Sequence, residues 1–205
     1  MVEDPFLKKQ PRQSRSRAVV SALVSAFDQL LERTEDLSGI SVQRVAERAG
    51  VGIGSLYDYF TSRENLFGEF LVRLTDDNFV KLQAAIEATQ DVDLARTVER
   101  MIDATLDTYV SKPNRTRGAI SIMARIGWVK PVLAERDRFA GVVAARILRE
   151  HPKLERAKVE HVCVVLCDAV MGIVLTELWR PTPDVRARML AVTRSLLSHE
   201  LGLRL

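Results

Sequence analysis

The stretch RVAERAGVGIGSLYDYF, residues 44–60, decides between two very different folds. Its three glycines, Gly50, Gly52 and Gly54, stand at every second position. Glycines spaced in this way can let a backbone wrap around phosphate groups, as in nucleotide-binding loops. They can equally let a chain turn sharply between two short helices. The residues on either side of the glycines separate these two interpretations.

A phosphate-binding glycine loop lies between a β-strand and a helix. The residues before Gly50 instead carry apolar side chains at helical spacing: Val42, Val45, Ala46 and Ala49. The segment also lacks the Lys-Ser or Lys-Thr ending of a nucleotide loop. An enzyme with this segment as its cofactor loop is therefore the weaker alternative.

A helix-turn-helix accounts for each position of the segment. The hydroxyl of Ser41 can accept a hydrogen bond from an unpaired backbone N–H and so begin a short helix. Gly50 follows the apolar pattern, where glycine allows the left-handed conformation that ends a helix. Val51 fills the angle between the helices, and Leu56 anchors a second helix over residues 53–59. The second helix of such a motif enters the major groove of DNA.

Further helices flank the motif on both sides. Apolar residues at helical spacing predict a helix over residues 17–33. Thr61 and Glu64 have the spacing of a capping box, which predicts the start of a long helix.

The remainder of the chain is patterned as helices too. An amphipathic segment covers residues 94–109, and a strongly apolar one covers residues 154–179. Thr182, followed by proline, is expected to cap a final helix. No alternating strand pattern of any length occurs, so the predicted fold class is all-α.

The sequence SVQRVAERAGVGIGSLYDYFTSRENL, residues 41–66, resembles the DNA-binding signature of the tetracycline-repressor (TetR) family of bacterial regulators. The matching elements are the hydroxyl cap, the Val-Ala pair, Ala-Gly-Val at the turn, Leu-Tyr-x-Tyr-Phe and the basic-Glu-x-Leu that follows. The resemblance implies a three-helix DNA-binding domain at residues 14–61. It also implies a larger helical domain, residues 62–205, that binds a small molecule and dimerises through its last two helices.

The resemblance also implies which residues touch DNA. Phosphate contacts are expected from Ser41, Ser55, Tyr57, Tyr59 and Arg63, and base contacts from Gln43, Ile53 and Gly54, with Arg44 included in the binding set. Hydroxyls and helix N-termini suit phosphate, whereas Gln can pair with adenine and Ile can pack on a thymine methyl group.

Two residues depart from the family pattern. Gly52 occupies a position where a capping serine is common, and Asp58 stands where a neutral or basic residue is more usual. We expect Asp58 to point away from DNA, toward Arg48 or Arg63. Because few side-chain donors remain on this helix, DNA shape is expected to contribute to recognition.

Residues 1–13 are polar, basic and interrupted by proline, which predicts a flexible arm. The basic residues of the arm and of the residues just after it are Lys8, Lys9, Arg12, Arg15 and Arg17. They can contact phosphates or the minor groove beside the recognition helix. A solvated tail explains the same composition equally well.

Candidates for a ligand cavity are apolar or polarizable residues of the regulatory region. They are Phe70, Leu74, Met101, Tyr109, Met123, Trp128, Cys163, Cys167 and Met171. For any single one, core packing is the alternative interpretation. Arg125, His161 and Asp168 could orient a ligand, or the last two could pair with each other or with an arginine.

No cofactor or metal is expected. Cys163 and Cys167 lie four residues apart in an apolar run, which is typical of core thiols and does not have a zinc-site spacing. A redox switch through the pair is conceivable, but nothing in the sequence lowers a thiol pKa.

The composition is that of a globular protein. The chain has 205 residues, 47% of them hydrophobic, a net charge of +3 and a pI near 9.0. Its most apolar stretch, residues 162–175, is shorter than the roughly 20 residues of a membrane span, and Asp168 interrupts it. We therefore expect a cytoplasmic protein without a membrane partner. So much apolar surface on the last two helices also favours a homodimer.

These observations favour a transcriptional regulator, most simply a repressor that a small molecule releases from a palindromic operator on double-stranded DNA. The enzyme alternative lacks an assembled acid–base or nucleophile constellation. A second alternative is an architectural DNA-binding protein that responds to no ligand.

Overall fold

A computed structural model describes residues 6–11, 13–34 and 36–204. Every regular element in these ranges is helical, as the sequence predicted. The α-helices are α1 (Ser14–Leu31), α2 (Val42–Ala49), α3 (Ile53–Tyr59), α4 (Arg63–Glu87), α5 (Leu94–Thr105), α6 (Pro113–Ile126), α7 (Val129–Glu150), α8 (Arg156–Trp179) and α9 (Val185–Leu201). A short 3-10 turn, Leu37–Gly39, precedes α2.

The helices form two compact units. The first comprises Met1–Thr75 and Pro113–Val129, and the second comprises Asp76–Lys112 and Lys130–Leu205. Residues 113–129 therefore pack with the first unit, although the sequence-based division assigned all of residues 62–205 to a regulatory domain. The functional division between a DNA-binding and a regulatory domain stays a prediction.

Three phenylalanines form the centre of the first unit. The ring centroid of Phe27 on α1 lies 5.0 Å from that of Phe67 and 5.1 Å from that of Phe70, both on α4. All three side chains are fully or almost fully buried. Burying a side chain of this size stabilises the fold by roughly 2 kcal/mol. Helix α6 joins this core through Ile122 and through an ion pair between Arg115 and Asp28 of α1.

The turn between α2 and α3 has the predicted chemistry. Ser41 caps α2, since its Oγ accepts a hydrogen bond from the N–H of Arg44 at 3.2 Å. Gly50 takes the left-handed conformation with φ 68°, where a Cβ would be strained. The N–H of Val51 then reaches back to the carbonyl of Ala46 at 3.0 Å. The Ser41 bond satisfies an N–H at the start of α2, and the Val51 bond satisfies a carbonyl at its end, which the helix alone would leave unpaired.

The cap of α4 differs from the prediction. Ser62, rather than Thr61, precedes the helix, and its Oγ accepts a hydrogen bond from the N–H of Asn65 at 3.2 Å. Thr61 instead donates to the side chain of Asn65. The expected capping box of Thr61 with Glu64 is therefore wrong, because Glu64 bonds to Arg125 of α6.

The predicted helix over residues 94–109 is not uniform. It changes at Leu106–Val110 into a π-helical turn, in which the N–H of Ser111 bonds to the carbonyl of Leu106 five residues back. This turn carries Tyr109. Turns of this type are rare and frequently lie at functional sites.

A buried arginine ties the second unit together. Arg146 of α7 donates to the carbonyl of Val92 at 2.7 Å and to the hydroxyl of Thr97 at 3.3 Å. It also pairs with Glu150 at 2.8 Å. Several partners thus satisfy a charge that would be costly to bury alone.

The turn between α8 and α9 is built around Glu177. This buried carboxylate accepts hydrogen bonds from the N–H and, at 2.8 Å, from the hydroxyl of Thr182. Arg188 of α9 donates to that hydroxyl at 2.7 Å and lies 3.6 Å from the carboxylate. The prediction that Thr182 caps α9 is therefore wrong, because Thr182 bonds to Glu177 and α9 begins after Asp184.

Candidate nucleic-acid interface

The start of α2 presents the first group of predicted DNA contacts. Ser41 and Arg44 are exposed, and a guanidinium N–H of Arg44 donates to the carbonyl of Gly39. The hydroxyl of Ser41 accepts the capping bond, which leaves its own proton available to a phosphate. Gln43 is exposed too, and its amide donates to Glu47 at 3.0 Å. To contact a base, Gln43 must replace this solvent-exposed hydrogen bond to Glu47 with one to the base edge.

Helix α3 has one apolar buried residue and an open outer surface. Leu56 is fully buried in the core, whereas Ile53 and Tyr57 are 43% and 47% exposed. Ile53 and Tyr57 are one turn apart, so they lie on the same face. Gly54 has no neighbouring atom within 4 Å of where a Cβ would stand. This face can therefore approach another surface closely.

The other residues predicted on or beside α3 are partly buried. Ser55 lies in the first turn, where its N–H bonds to the carbonyl of Gly52 at 2.9 Å. Tyr59 packs partly against the core of the first unit, unlike Tyr57. The guanidinium carbon of Arg63 stands 5.3 Å from the centre of the Phe67 ring. That contact holds the positive charge of Arg63 at the start of α4.

The two departures from the family pattern have structural consequences. Gly52 precedes α3 and provides no side-chain cap, so the first N–H groups of this helix receive no side-chain acceptor. Asp58 is exposed and forms no ion pair in the described ranges. It does not pair with Arg48, which donates to Gln29 at 2.9 Å, or with Arg63.

The leading segment is packed where a flexible arm was expected. The Phe6 ring lies 4.9 Å from the Trp128 ring, and the N–H of Lys8 donates to the carbonyl of Tyr59 at 2.9 Å. The prediction of flexibility is therefore wrong for residues 6–8. Lys8, Lys9, Arg15 and Arg17 are exposed, and Arg12 lies outside the described residues. Sequence reasoning missed Phe6 because an isolated phenylalanine has no periodicity.

The residues proposed for a ligand cavity are divided between the two units. Phe70 and Leu74 belong to the core of the first unit, and Met123 and Trp128 pack against it. The other five lie in the second unit: Met101, Tyr109, Cys163, Cys167 and Met171. Their role in ligand binding stays a prediction.

Tyr109 is the most distinctive polar residue of this set. Burial raises the pKa of its phenol, while a hydrogen bond from the side chain of Asn78 opposes that rise. Asn78 is itself buried, and its Oδ1 has no hydrogen-bond partner among the described residues. A buried amide oxygen without a partner is costly, and a ligand donor could satisfy it.

The polar candidates for ligand contact have other partners. Asp168 pairs with Arg136 of α7 through two bonds of 2.8 and 2.9 Å, rather than with His161. His161 is exposed. Arg125 bonds to Glu64 at 3.2 Å within the first unit. Within the second unit, His161 and Asp168 are therefore not paired with each other.

Both thiols are in an apolar setting. Burial raises the pKa of Cys163 and of Cys167 to about 12, with a further contribution from nearby negative charges. Both are free thiols. Thiols with such a high pKa are protonated, and so unreactive, at neutral pH.

Comparisons with known proteins agree with this geometry. Residues 33–70 match the sequence model of bacterial regulatory proteins of the tetR family. An HTH-type transcriptional regulator of Staphylococcus aureus (strain MRSA252) is 29% identical over 79 residues. That alignment covers 38% of this chain and 41% of the relative, so the chain spans about two fifths of the relative's length.

Solved structures extend the similarity to the whole fold. A protein of Mesorhizobium loti assigned to the TetR family superposes with a TM-score of 0.71 at 15% identity, covering 93% of this chain and 98% of that one. A TetR-family regulator of Streptomyces coelicolor gives 0.69 at 18% identity, covering 91% and 83%. At such low identity these matches establish the fold alone.

The helix-turn-helix geometry, the match of residues 33–70 and the shared fold point to one family. Residues 33–70, which contain the helix-turn-helix, are thus similar to bacterial regulatory proteins of the tetR family, on a fold that solved structures of TetR-family regulators share.

Proposed function

We propose that the protein is a transcriptional repressor whose α3 reads the major groove of a palindromic operator. The observation that carries the proposal is the outward face of α3, where Ile53 and Tyr57 stand exposed while Leu56 fixes the helix to the core. Phosphate contacts come from Ser41, Ser55, Tyr57, Tyr59, Arg44 and Arg63. Base contacts come from Gln43, Ile53 and Gly54.

The operator symmetry follows from a homodimer. Helix α8 carries exposed apolar side chains along its length: Val165, Met171, Leu175 and Trp179. A second copy related by a two-fold axis would cover the same face on both chains. The two α3 helices would then meet half-sites about 34–36 Å apart, one turn of the duplex.

Helix α8, with 24 residues, has the length and composition of a membrane span, so the expectation that this apolar segment is too short for one is wrong; no other helix in the described ranges has both properties. Only 33% of the most apolar 18-residue segment of α8 is buried within one chain. A dimer interface explains this apolar surface, and a single helix of this kind is weak evidence for a membrane. We therefore place the protein in the cytoplasm, where its DNA is.

A small-molecule effector would release the operator by binding better to the conformation that does not fit DNA. Differential binding worth about 1–3 kcal/mol is typical of such coupling. We infer that Tyr109 and its partner Asn78 provide the polar contacts, because Asn78 Oδ1 is buried and unsatisfied. Apolar contacts come from the remaining cavity candidates of the second unit.

The test is binding of the purified protein to DNA from just upstream of its own coding region, measured by mobility shift against random DNA. Regulators often act on their own neighbourhood, so a specific shift that resists competitor DNA is expected. Gln43→Ala should reduce the preference for the upstream fragment and leave binding to random DNA unchanged. Equal losses on both DNAs would contradict base reading by Gln43.

The same complex provides the test for an effector. Small molecules are screened for release of the fragment, and a releasing compound should lose its effect in a Tyr109→Ala variant that still binds DNA. DNA binding that no compound changes would instead favour the architectural alternative. Saturable binding of a nucleotide cofactor by residues 50–54 would contradict the helix-turn-helix assignment.

A further inference from the structure

The first described residues are held at three points of the first unit. The Phe6 ring packs at 55° to the Trp128 ring, with centroids 4.9 Å apart. The same ring also lies directly on α4 at Gly68. A Cβ at Gly68 would stand 2.3 Å from a carbon of the Phe6 ring, which is closer than any real contact. Glycine at this position is therefore what lets the ring reach the backbone of α4.

The chain continues from this anchor to the end of the recognition helix. Leu7 packs against the core of the first unit. The N–H of Lys8 then donates to the carbonyl of Tyr59, the last residue of α3, at 2.9 Å. The last carbonyls of a helix have no partner within the helix, so this bond satisfies one of them. The end of α3 is thus linked through residues 6–8 to α4 and to Trp128.

The position of Lys8 matters because it is exposed, as is Lys9. The bond to Tyr59 places the backbone of Lys8 at the end of the helix that carries Tyr57. A solvated tail would leave these two charges spread over a large volume. A segment fixed at Phe6 and Tyr59 instead concentrates them beside the DNA-contacting face of α3, where they can neutralise phosphates.

We propose that residues 6–8 form a strap, anchored by the contacts of Phe6 with Gly68 and Trp128, that positions α3 and presents Lys8 and Lys9 to the DNA backbone. The proposal rests on the proposed function for its effect on DNA. Phe6 is a positioning residue in this scheme, since it acts through the strap and does not itself touch DNA.

Two single variants disrupt the anchor, one by changing Phe6 and the other by changing the glycine that it contacts. Phe6→Ala removes the ring, and Gly68→Ala fills the space that the ring occupies. In a helix interior an alanine normally stabilises relative to glycine, so Gly68→Ala does not weaken α4 itself. Gly141→Ala on α7 is the matched control, because a Cβ there meets no atom within 4 Å.

The first readout needs no DNA. Hydrogen exchange of the backbone amides compares each variant with the wild type. In Phe6→Ala and Gly68→Ala we expect the Lys8 amide to lose its protection and the end of α3 to exchange faster, with α7 and α8 unchanged. Unchanged protection of Lys8 and α3 in both variants would overturn the strap, whether or not the protein binds DNA.

The second readout is affinity for the upstream fragment and for a random-sequence duplex at several salt concentrations. Each anchor variant should bind about tenfold more weakly and lower the salt slope by about two, one for each displaced lysine. The double variant should lose no more than either single variant, since both release the same anchor. Wild-type affinity and slope in both single variants would refute the positioning role, whereas a wild type that binds no DNA would refute the proposed function.

Discussion

Arg63 and Tyr57 hold phosphates by different chemistry in the proposed complex, so their loss should be distinguishable. Arg63 carries a full charge whose place is fixed by the Phe67 ring. Arg63→Ala should weaken binding to all DNA and lower the salt slope by about one. Tyr57→Phe removes only a neutral donor, so affinity should fall while the slope stays nearly the same. Fluorescence anisotropy over a salt series measures both quantities.

Arg96→Ala serves as the control for these variants, since Arg96 is an exposed arginine of α5 in the second unit. Its loss should leave the salt slope as it is. An unchanged slope in Arg63→Ala would mean that Arg63 does not meet a phosphate.

The two cysteines should be inert in the folded protein. With the pKa of Cys163 and Cys167 raised to about 12, the thiolate fraction at pH 8 is very small. Alkylation by iodoacetamide at pH 8 should therefore be far slower than in urea-unfolded protein, where thiols have their ordinary pKa near 8.5. The raised pKa also makes the stability of the protein depend on pH, because a buried thiol that loses its proton favours the unfolded chain. The contribution of the two protonated thiols to the free energy of unfolding is fully present below pH 8.5 and is lost as the pH rises toward their folded pKa of about 12.

Cys163→Ser and Cys167→Ser each leave one thiol to be followed by mass spectrometry. Rapid labelling of the half-buried Cys167 in folded protein would contradict its raised pKa and reopen a redox role for the pair.

At the residue scale, the sequence was most informative where the local backbone conformation requires a particular type of residue. Ser41 and Gly50 could be predicted because a cap and a left-handed turn are local requirements. The partner of Asp168 could not, since Arg136 lies 32 residues away and comes near only through packing of α7 on α8. Phe6 could not either, because its site depends on Gly68.

Element boundaries were predicted less well than the elements. Thr61 and Ser62 are adjacent hydroxyl residues, and either could cap α4 on local grounds. Ser62 does so because Asn65 stands three residues after it and bonds to both hydroxyls. The start of α9 lies later than predicted because Thr182 bonds to the buried Glu177 at the end of α8, five residues earlier.

The α8–α9 turn should depend strongly on Glu177. Glu177→Ala leaves the N–H of Thr182 without its acceptor and Arg188 without its ion-pair partner, so the free energy of unfolding should fall by about 2 kcal/mol. Glu160→Ala on the same helix is the matched control. Its ion pair with Arg156 is solvent-exposed, so the change should stay within about 0.5 kcal/mol. Urea denaturation at equal protein concentration measures both, and equal losses would show that the Glu177 network adds nothing.

At the scale of the whole molecule, the fold class and the helix-turn-helix followed from the sequence, and the placement of α6 did not. The hydrophobic period and the glycine turn are local properties of the chain. Residues 113–129 pack with α1 through Arg115 and Asp28, which are 87 positions apart. A pairing at that distance leaves no periodic trace in the sequence.

The exposed apolar face of α8 sets the last prediction, that the protein is a dimer in solution. Met171, Leu175 and Trp179 follow one another at intervals of four and so form one stripe, and Trp179 is 56% exposed. Leu175→Glu places a charge in this stripe, and a two-fold axis introduces it twice. The mass by light scattering should therefore fall from about twice 23.0 kDa toward the single-chain value.

The control for this variant is Val80→Glu, an equally drastic change at the more exposed Val80 of α4. It should leave the dimer intact, because Val80 lies outside α8. A monomeric wild type, or dissociation of both variants alike, would remove the basis for a palindromic operator. If Leu175→Glu alone dissociates, it should also lose affinity for the intact operator while binding an isolated half-site as the wild type does. Each α3 reads its half-site alone, and only the dimer joins two such contacts in a single binding event.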